Sequence, residues 1–226
     1  MIKMIITDLD GTLLRDDKTV SERNRLVLSR CRAMGIKVVF ATGRSYQTRI
    51  VPEDWFDGFA CSNGAYAFAD DAVVYQCPID DDTARIVFES CGKRQIKTGT
   101  MAVGQIGVSD LKPGDADYIR AILPEGLYLI VLREGFGQIM RKEATKQRAV
   151  EALARYWGID QCDTVAFGDD VNDISLLTWA GTGIAMGNAL DDVKAVADAV
   201  CRSNEDDGLA AWLEENIQGL KVACSC

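Results

Sequence analysis

The sequence predicts an α/β fold: a doubly wound parallel sheet of Rossmann-like type with a small α+β unit inserted into it. Three observations predict this class. Short β-branched runs alternate with helical periodicities at both ends of the chain, each such run stops at a polar turn, and the middle of the chain changes to mixed helix and hairpin patterns.

The first strand is the run Met4-Ile5-Ile6, which stops at Asp8-Leu9-Asp10-Gly11-Thr12. Side chains alternate across a strand, so Asp8 and Asp10 are expected to share a direction, with Leu9 opposite. Two carboxylates side by side where a strand leaves a sheet repel each other and are poorly solvated. They call for a cation, a shared proton or water, and a metal is the expected answer. An acidic turn has the same composition, and these residues alone do not separate the two readings. Ser21 is placed to cap a helix whose inward positions are Val27, Cys31 and Met34, with Gly35 as its stop. A second buried strand, Lys37 to Ala41, ends at Thr42-Gly43-Arg44, and a short third, Phe59 to Cys61, ends at Ser62-Asn63-Gly64. Strand, helix and strand at this spacing form a right-handed βαβ unit.

From about Asp80 to Lys142 the pattern reads as a helix (Asp82 to Cys91), a strand (Thr100 to Val103), a helix opening at Asp115, and two strands (Leu127 to Leu132, Gln138 to Arg141). This predicts an inserted unit over 80–142, above the strand ends of a core built from 1–79 and 143–226. The parallel pattern resumes near Lys146, where Val150, Leu153, Ala154 and Trp157 follow helical spacing and Gly158 stops the run. Thr164 to Phe167 is a strand ending at Gly168-Asp169-Asp170-Val171-Asn172-Asp173. A helix through Ile174 and Leu177, a strand over Gly183 to Met186, and a last helix with Leu209, Trp212, Leu213 and Ile217 complete the layer.

Composition narrows the function. The 226 residues are 48% hydrophobic, enough for a packed core, and the net charge of −9 opposes binding to nucleic acid or an anionic membrane. No run reaches the roughly 18 apolar residues of a membrane span and no signal peptide is visible, so a cytoplasmic protein is expected, with the upstream cysteines reduced. The Cys224-Ser225-Cys226 tail receives no role. Gly181-Thr182-Gly183 precedes a strand and lacks the spacing of a dinucleotide loop. The chain contains no histidine, so acid–base chemistry falls to carboxylates or lysine.

In an open α/β sheet, ligands bind beyond the carboxyl ends of the strands where strand order reverses. Here the polar strand ends are Asp8 and Asp10, Thr42, Ser62 to Gly64, and Asp169 to Asp173. With Lys146, these motifs resemble the haloacid dehalogenase superfamily of phosphohydrolases, specifically the Cof-type (IIB) subfamily with a cap inserted after the third strand. Lesser matches are Ser62-Asn63-Gly64-Ala65, Ala185-Met186-Gly187-Asn188-Ala189 and Asp206-Asp207-Gly208-Leu209. The resemblance covers the core and hardly touches the cap.

The resemblance implies a phosphatase acting on a small phosphorylated metabolite, of sugar phosphate or phosphoglycolate type. Asp8 would be the nucleophile that forms an aspartyl-phosphate, and Asp10 the acid that protonates the leaving group and then the base that activates water. Mg²⁺ is the implied ion, held by the Asp8 carboxylate, the Asp10 backbone carbonyl and Asp169, with Asp173 supporting the metal or its waters. Asp169 and Asp173, four apart, are expected on one face of a helical turn, with Asp170 a solvated neighbour. Thr42 would hydrogen-bond a phosphoryl oxygen, Gly43 would let the backbone approach it, and Lys146 would supply fixed positive charge. Asn172 would contact phosphate, while Arg44 would hold phosphate or the leaving group, or form a surface salt bridge.

Two departures stand out. Gln147 occupies the position after the motif lysine where similar proteins commonly have glycine, and the cap is short for this subfamily. Arg133, Arg141 and Lys142 either reach substrate from the cap or are solvated strand residues. Two alternatives remain open: a phosphomutase acting on a sugar phosphate, and a non-catalytic, receiver-like phosphate-responsive domain. The cap and an acid two residues beyond the nucleophile, Asp10, argue against the second.

Overall fold

The computed structural model describes residues 1–220 except 47, 49, 103 and 132–134. The chain runs β1 (Met4–Thr7), α1 (Glu22–Ala33), β2 (Lys37–Ala41), β3 (Gly58–Cys61), β4 (Tyr66–Ala69), β5 (Ala72–Gln76), α2 (Asp81–Gly92), β6 (Lys97–Ala102), β7 (Gln105–Ser109), α3 (Asp115–Ile122), β8 (Leu127–Val131) and β9 (Gly137–Arg141). It continues through α4 (Lys146–Tyr156), β10 (Thr164–Gly168), α5 (Ile174–Trp179), β11 (Thr182–Ala185), α6 (Asp191–Val196), β12 (Ala199–Val200) and α7 (Gly208–Asn216).

Eight strands form one sheet in the order β12-β11-β10-β1-β2-β3-β4-β5, parallel from β12 to β3 and antiparallel beyond. The central strands are apolar on both faces because helices cover both; β1 is buried at every position. The chain leaves β1 toward β2 and β3, then returns on the other side of β1 as β10, β11 and β12. Strand order therefore reverses at the β1/β10 pair, and the crevice sits beyond the carboxyl ends of those two strands.

A second, antiparallel sheet, β6-β7-β9-β8, packs one face against α2 and α3 around Val87, Ile106, Val108, Ile119, Leu129 and Ile139. Its apolar cluster is separate from the one around the large sheet.

Ser21 caps α1, accepting from the Asn24 N–H at 3.0 Å, and Gly35 beyond the helix end has a φ of +83°, as a helix stop requires. Met34 is not an inward position: the helix has already ended and the side chain is 49% exposed. The β4–β5 hairpin was not legible in the sequence. Its two-residue turn places Asp70 and Asp71 at φ of 49° and 59°, and Asp-Asp signals a turn of this kind less clearly than Asn-Gly. The sequence also hid β7, α6 and β12; α6 has six residues and β12 two, too short to show a period. Leu132, Val103, Arg133 and the Cys224/Cys226 pair lie outside the described residues. Cys31, Cys61, Cys77, Cys91, Cys162 and Cys201 are free thiols. Among the described residues, no helix is long and apolar enough to cross a membrane.

Candidate active site

β1 stops at Thr7, so Asp8 and Asp10 lie in the turn that follows, and strand alternation does not orient them. They line one cavity of about 380 Å³ together with Thr42, Gly43, Arg44, Asp170 and Asn172, yet they face different partners. Asp8 is 5% exposed and turns toward α4 and β10; Asp10 turns toward Arg44 and Lys18. Gly11 makes the turn possible. Its φ is +84°, and a Cβ there would collide with the Asp169 carboxylate, which Thr12 Oγ1 holds with a 2.9 Å hydrogen bond.

Lys146, the first residue of α4, is 1% exposed, unlike the usual solvated lysine at a helix start. Its Nζ donates to Asp8 Oδ1 and to Asp173 Oδ1, both at 2.6 Å. Among the described residues Asp8 Oδ2 takes no hydrogen bond, so one oxygen is anchored and the other is left for chemistry. Burial alone would pull the ammonium's pKa down, but Asp173 and Asp8 hold it above its ordinary value.

Ligand atoms of Asp8, Asp169 and Asp173 lie within 4.8 Å of one another. Burial, with the Asp173 and Asp169 carboxylates adding to it and Lys146 opposing, pushes Asp8 up to about 8. Burial and Asp173 push Asp169 up to about 6, against the Thr12 hydrogen bond. Three carboxylates facing one ammonium leave negative charge uncompensated, and all the donors are hard oxygens. The arrangement fits a divalent cation of the oxygen-loving kind.

Asp173 does not sit across a helical turn from Asp169. It ends a single turn of 3₁₀ helix, Val171–Asp173, and its Oδ2 accepts from the Asp169 and Asp170 N–H groups at 3.0 and 3.2 Å. With Oδ1 held by Lys146, Asp173 is a fully buried brace that ties α4 to the β10 turn. Asp170, partly exposed beside these residues, is also the N-cap of that turn, accepting from the Val171 N–H at 2.7 Å. Asp10 stands outside the acidic trio by its side chain. Arg44 grips it with Nε at 2.6 Å and Nη2 at 2.8 Å, and Lys18 adds a bond at 3.0 Å. Burial would raise its pKa, but these cations hold it below the usual carboxylate range.

The sequence profile of the haloacid dehalogenase-like hydrolases matches residues 5–110 and 108–213. The chain belongs to this family. Among curated relatives, the putative phosphatase YxeH of Bacillus subtilis (strain 168) is 28% identical over 269 aligned positions, covering 96% of this chain and 99% of its own. A phosphoglycolate phosphatase of Methanopyrus kandleri is 27% identical over 228 positions, covering 96% and 98%. Among solved structures, a haloacid dehalogenase-like hydrolase from Bacteroides thetaiotaomicron superposes with a TM-score of 0.86 at 21% identity, over 96% of this chain and 100% of that one. A subclass IIB sugar phosphatase superposes with a TM-score of 0.82 at 24% identity, over 94% and 98%.

In this hydrolase Thr42 is 1% exposed, and its Oγ1 accepts from the Arg44 N–H at 3.1 Å, which leaves its own hydrogen to donate into the cavity. Arg44 is bound to the Asp10 carboxylate at the cavity wall, so the surface salt bridge weighed for it is an ion pair inside the site. Asn172 also lines the cavity; its Nδ2 donates to Asn63 Oδ1 at 2.8 Å, and its buried Oδ1 has no partner among the described residues. Arg141 binds Pro78 O and Asp80, and Lys142 is exposed; neither lines the cavity.

Sequence reasoning missed Lys18, Gln105 and Gln138. Lys18 lies in a loop at φ 67° with no motif around it, and the two glutamines sit on cap strands that no pattern aligned with the site. Ser62-Asn63-Gly64 did carry a signal. All three residues are left-handed, with φ of 52°, 53° and 91°, and a Cβ on Gly64 would collide with the Thr145 carbonyl at the start of α4. Gly64→Ala is expected to cost at least about 2 kcal/mol and to displace Lys146, read as a lower denaturation midpoint together with lost turnover.

Proposed function

We propose that the protein is a Mg²⁺-dependent phosphatase that hydrolyses a small phosphorylated metabolite, of sugar phosphate or phosphoglycolate type, through an aspartyl-phosphate. The observation that carries this reading is Asp8: it lines the cavity, one of its carboxylate oxygens is fixed on a buried lysine, and ligand atoms of Asp169 and Asp173 lie within 4.8 Å. Asp8, Asp169 and the Asp10 carbonyl would hold the ion, with Asp173 bracing them; a bound Mg²⁺ neutralises charge on carboxylate and phosphate so that two anions can meet.

Asp8 Oδ2 attacks phosphorus, a bond to phosphorus forms there, and the bond to the leaving oxygen breaks with its electron pair. Asp10 delivers a proton to that oxygen. As the side chains stand Asp10 is ionised, because Arg44 and Lys18 lie against it. A phosphate dianion entering beside it competes for those cations and raises its affinity for the proton it must carry. In the second half, ionised Asp10 takes a proton from water, which attacks the acyl phosphate and frees Asp8. Thr42 donates to a phosphoryl oxygen, Gly43 gives it room, and Lys146 orients the nucleophile. Residues 80–142 act as the cap that excludes water from this sequence.

Incubation with p-nitrophenyl phosphate and Mg²⁺ should release inorganic phosphate. EDTA should lower the rate by at least about a hundredfold, and added Mg²⁺ should restore it. Full turnover in EDTA would overturn the metal's role, and no phosphate release from any monoester would overturn the phosphatase reading.

A further inference from the structure

Two buried side chains of the cap sheet face the cavity with hydrogen-bonding capacity to spare. Gln105 on β7 is 2% exposed and Gln138 on β9 is 6% exposed, and both line the cavity that holds Asp8 and Asp10. They share one face of the cap sheet: Gly107 stands opposite Gln138 in the ladder, and Gln105 is two residues from Gly107. The alternate residues Ile106, Val108 and Ile139 fill the cluster under α2 and α3, so the glutamines are turned toward the core sheet by register.

Their partners leave polar atoms over. Gln105 Nε2 reaches the Met140 thioether at 3.1 Å, a weak acceptor, and among the described residues its Oε1 has no partner. Gln138 Oε1 accepts from Asn63 Nδ2 at 2.7 Å, and Asn63 Oδ1 in turn accepts from Asn172 Nδ2. This chain of three amides holds Gln138 in place and leaves its Nε2 unpaired among the described residues. If the whole chain ran in the opposite sense, each end would still keep one polar atom for a ligand.

Among the described residues no unpaired cation stands beside them. Arg44 is the one cation in the described lining, and both it and Lys18 are engaged by Asp10. A leaving group with a carboxylate would meet Asp10 and Asp170 with no unpaired cation among the described residues, whereas a hydroxyl can give to Gln105 and receive from Gln138.

On the phosphatase reading above, and narrowing it to the sugar phosphate type against the phosphoglycolate type, we propose that Gln105 and Gln138 sort substrates by their leaving group, accepting an uncharged, hydroxyl-bearing one and turning away one that carries a carboxylate. The test is a matched pair, glycerol 3-phosphate and 3-phosphoglycerate, which differ by a hydroxymethyl against a carboxylate. The wild-type protein should favour glycerol 3-phosphate in kcat/KM by at least about tenfold. Gln105→Leu should shrink that ratio several-fold, and Gln105→Lys should shift it toward 3-phosphoglycerate by about tenfold. Wild-type preference for 3-phosphoglycerate, or variants that slow both substrates in equal proportion, would overturn the assignment; the wild-type comparison stands even if a variant does not fold. No phosphate from either compound or from p-nitrophenyl phosphate would be a failure of the phosphatase reading itself, and this assignment would fall with it.

Discussion

Asp8→Asn is expected to lower kcat about ten-thousand-fold or more, because an amide has no anionic oxygen to attack phosphorus, and the other carboxylate on Lys146, that of Asp173, has both oxygens engaged in hydrogen bonds. The substitution is isosteric, and its carbonyl oxygen still accepts the Lys146 hydrogen bond. Burial pushes the Asp8 carboxyl up to about 8, so at neutral pH the neutral amide is also easier to bury than the carboxylate. The folded protein should therefore be retained, with a denaturation midpoint at neutral pH no lower than that of the wild type. Quench-flow with a labelled phosphomonoester should show phosphorylated protein in the wild type and none in the variant. A variant with normal turnover would refute the nucleophile assignment.

Lys146→Met carries the second large effect, on stability as well as rate. Methionine matches the length of the chain but leaves Asp8 and Asp173, 5% and 0% exposed, without their ammonium. Removing one partner from a buried ion pair costs about 3–5 kcal/mol. The rate should fall about a thousandfold as the nucleophile loses its anchor. The sign of the pH dependence follows from Asp8. Its folded pKa is already raised to about 8, with Lys146 opposing the rise, so removing Lys146 raises it further. A raised carboxyl binds a proton more tightly folded than unfolded, which contributes stability below the unfolded value near 4 and is lost as pH rises toward the folded value. The variant's deficit relative to wild type should thus be larger at pH 8 than at pH 5. Urea midpoints at the two values measure it, and a deficit that grows toward acid would contradict the buried pair.

Both variants bear on residues that sequence alone brought to notice, but for reasons that coordinates alter. Asp8, Asp10, Thr42 and Asp169 were legible because each follows a short apolar run, and a strand must release its polar residues at its end. Lys146 was legible by resemblance; nothing in its own surroundings marks it as buried. Asp173 was placed beside Asp169 on the wrong geometry, since four residues that read as a helical turn are a 3₁₀ turn capped by Asp170 and braced by Asp173 itself.

By itself the sequence determined the class of fold, the order in which acids and threonine arrive at strand ends, and, by its lack of histidine, that acid–base chemistry falls to carboxylates or lysine. Those are local properties, set by periodicity and turn chemistry within a few residues. Only the tertiary structure decided that Asp8 faces Lys146 across 138 positions of chain while Asp10 faces Arg44 and Lys18, and that two cap glutamines stand over the same cavity. Such pairings depend on strand order and register between distant segments, where a one-residue slip turns a side chain to the opposite face, and no short stretch of sequence carries that information.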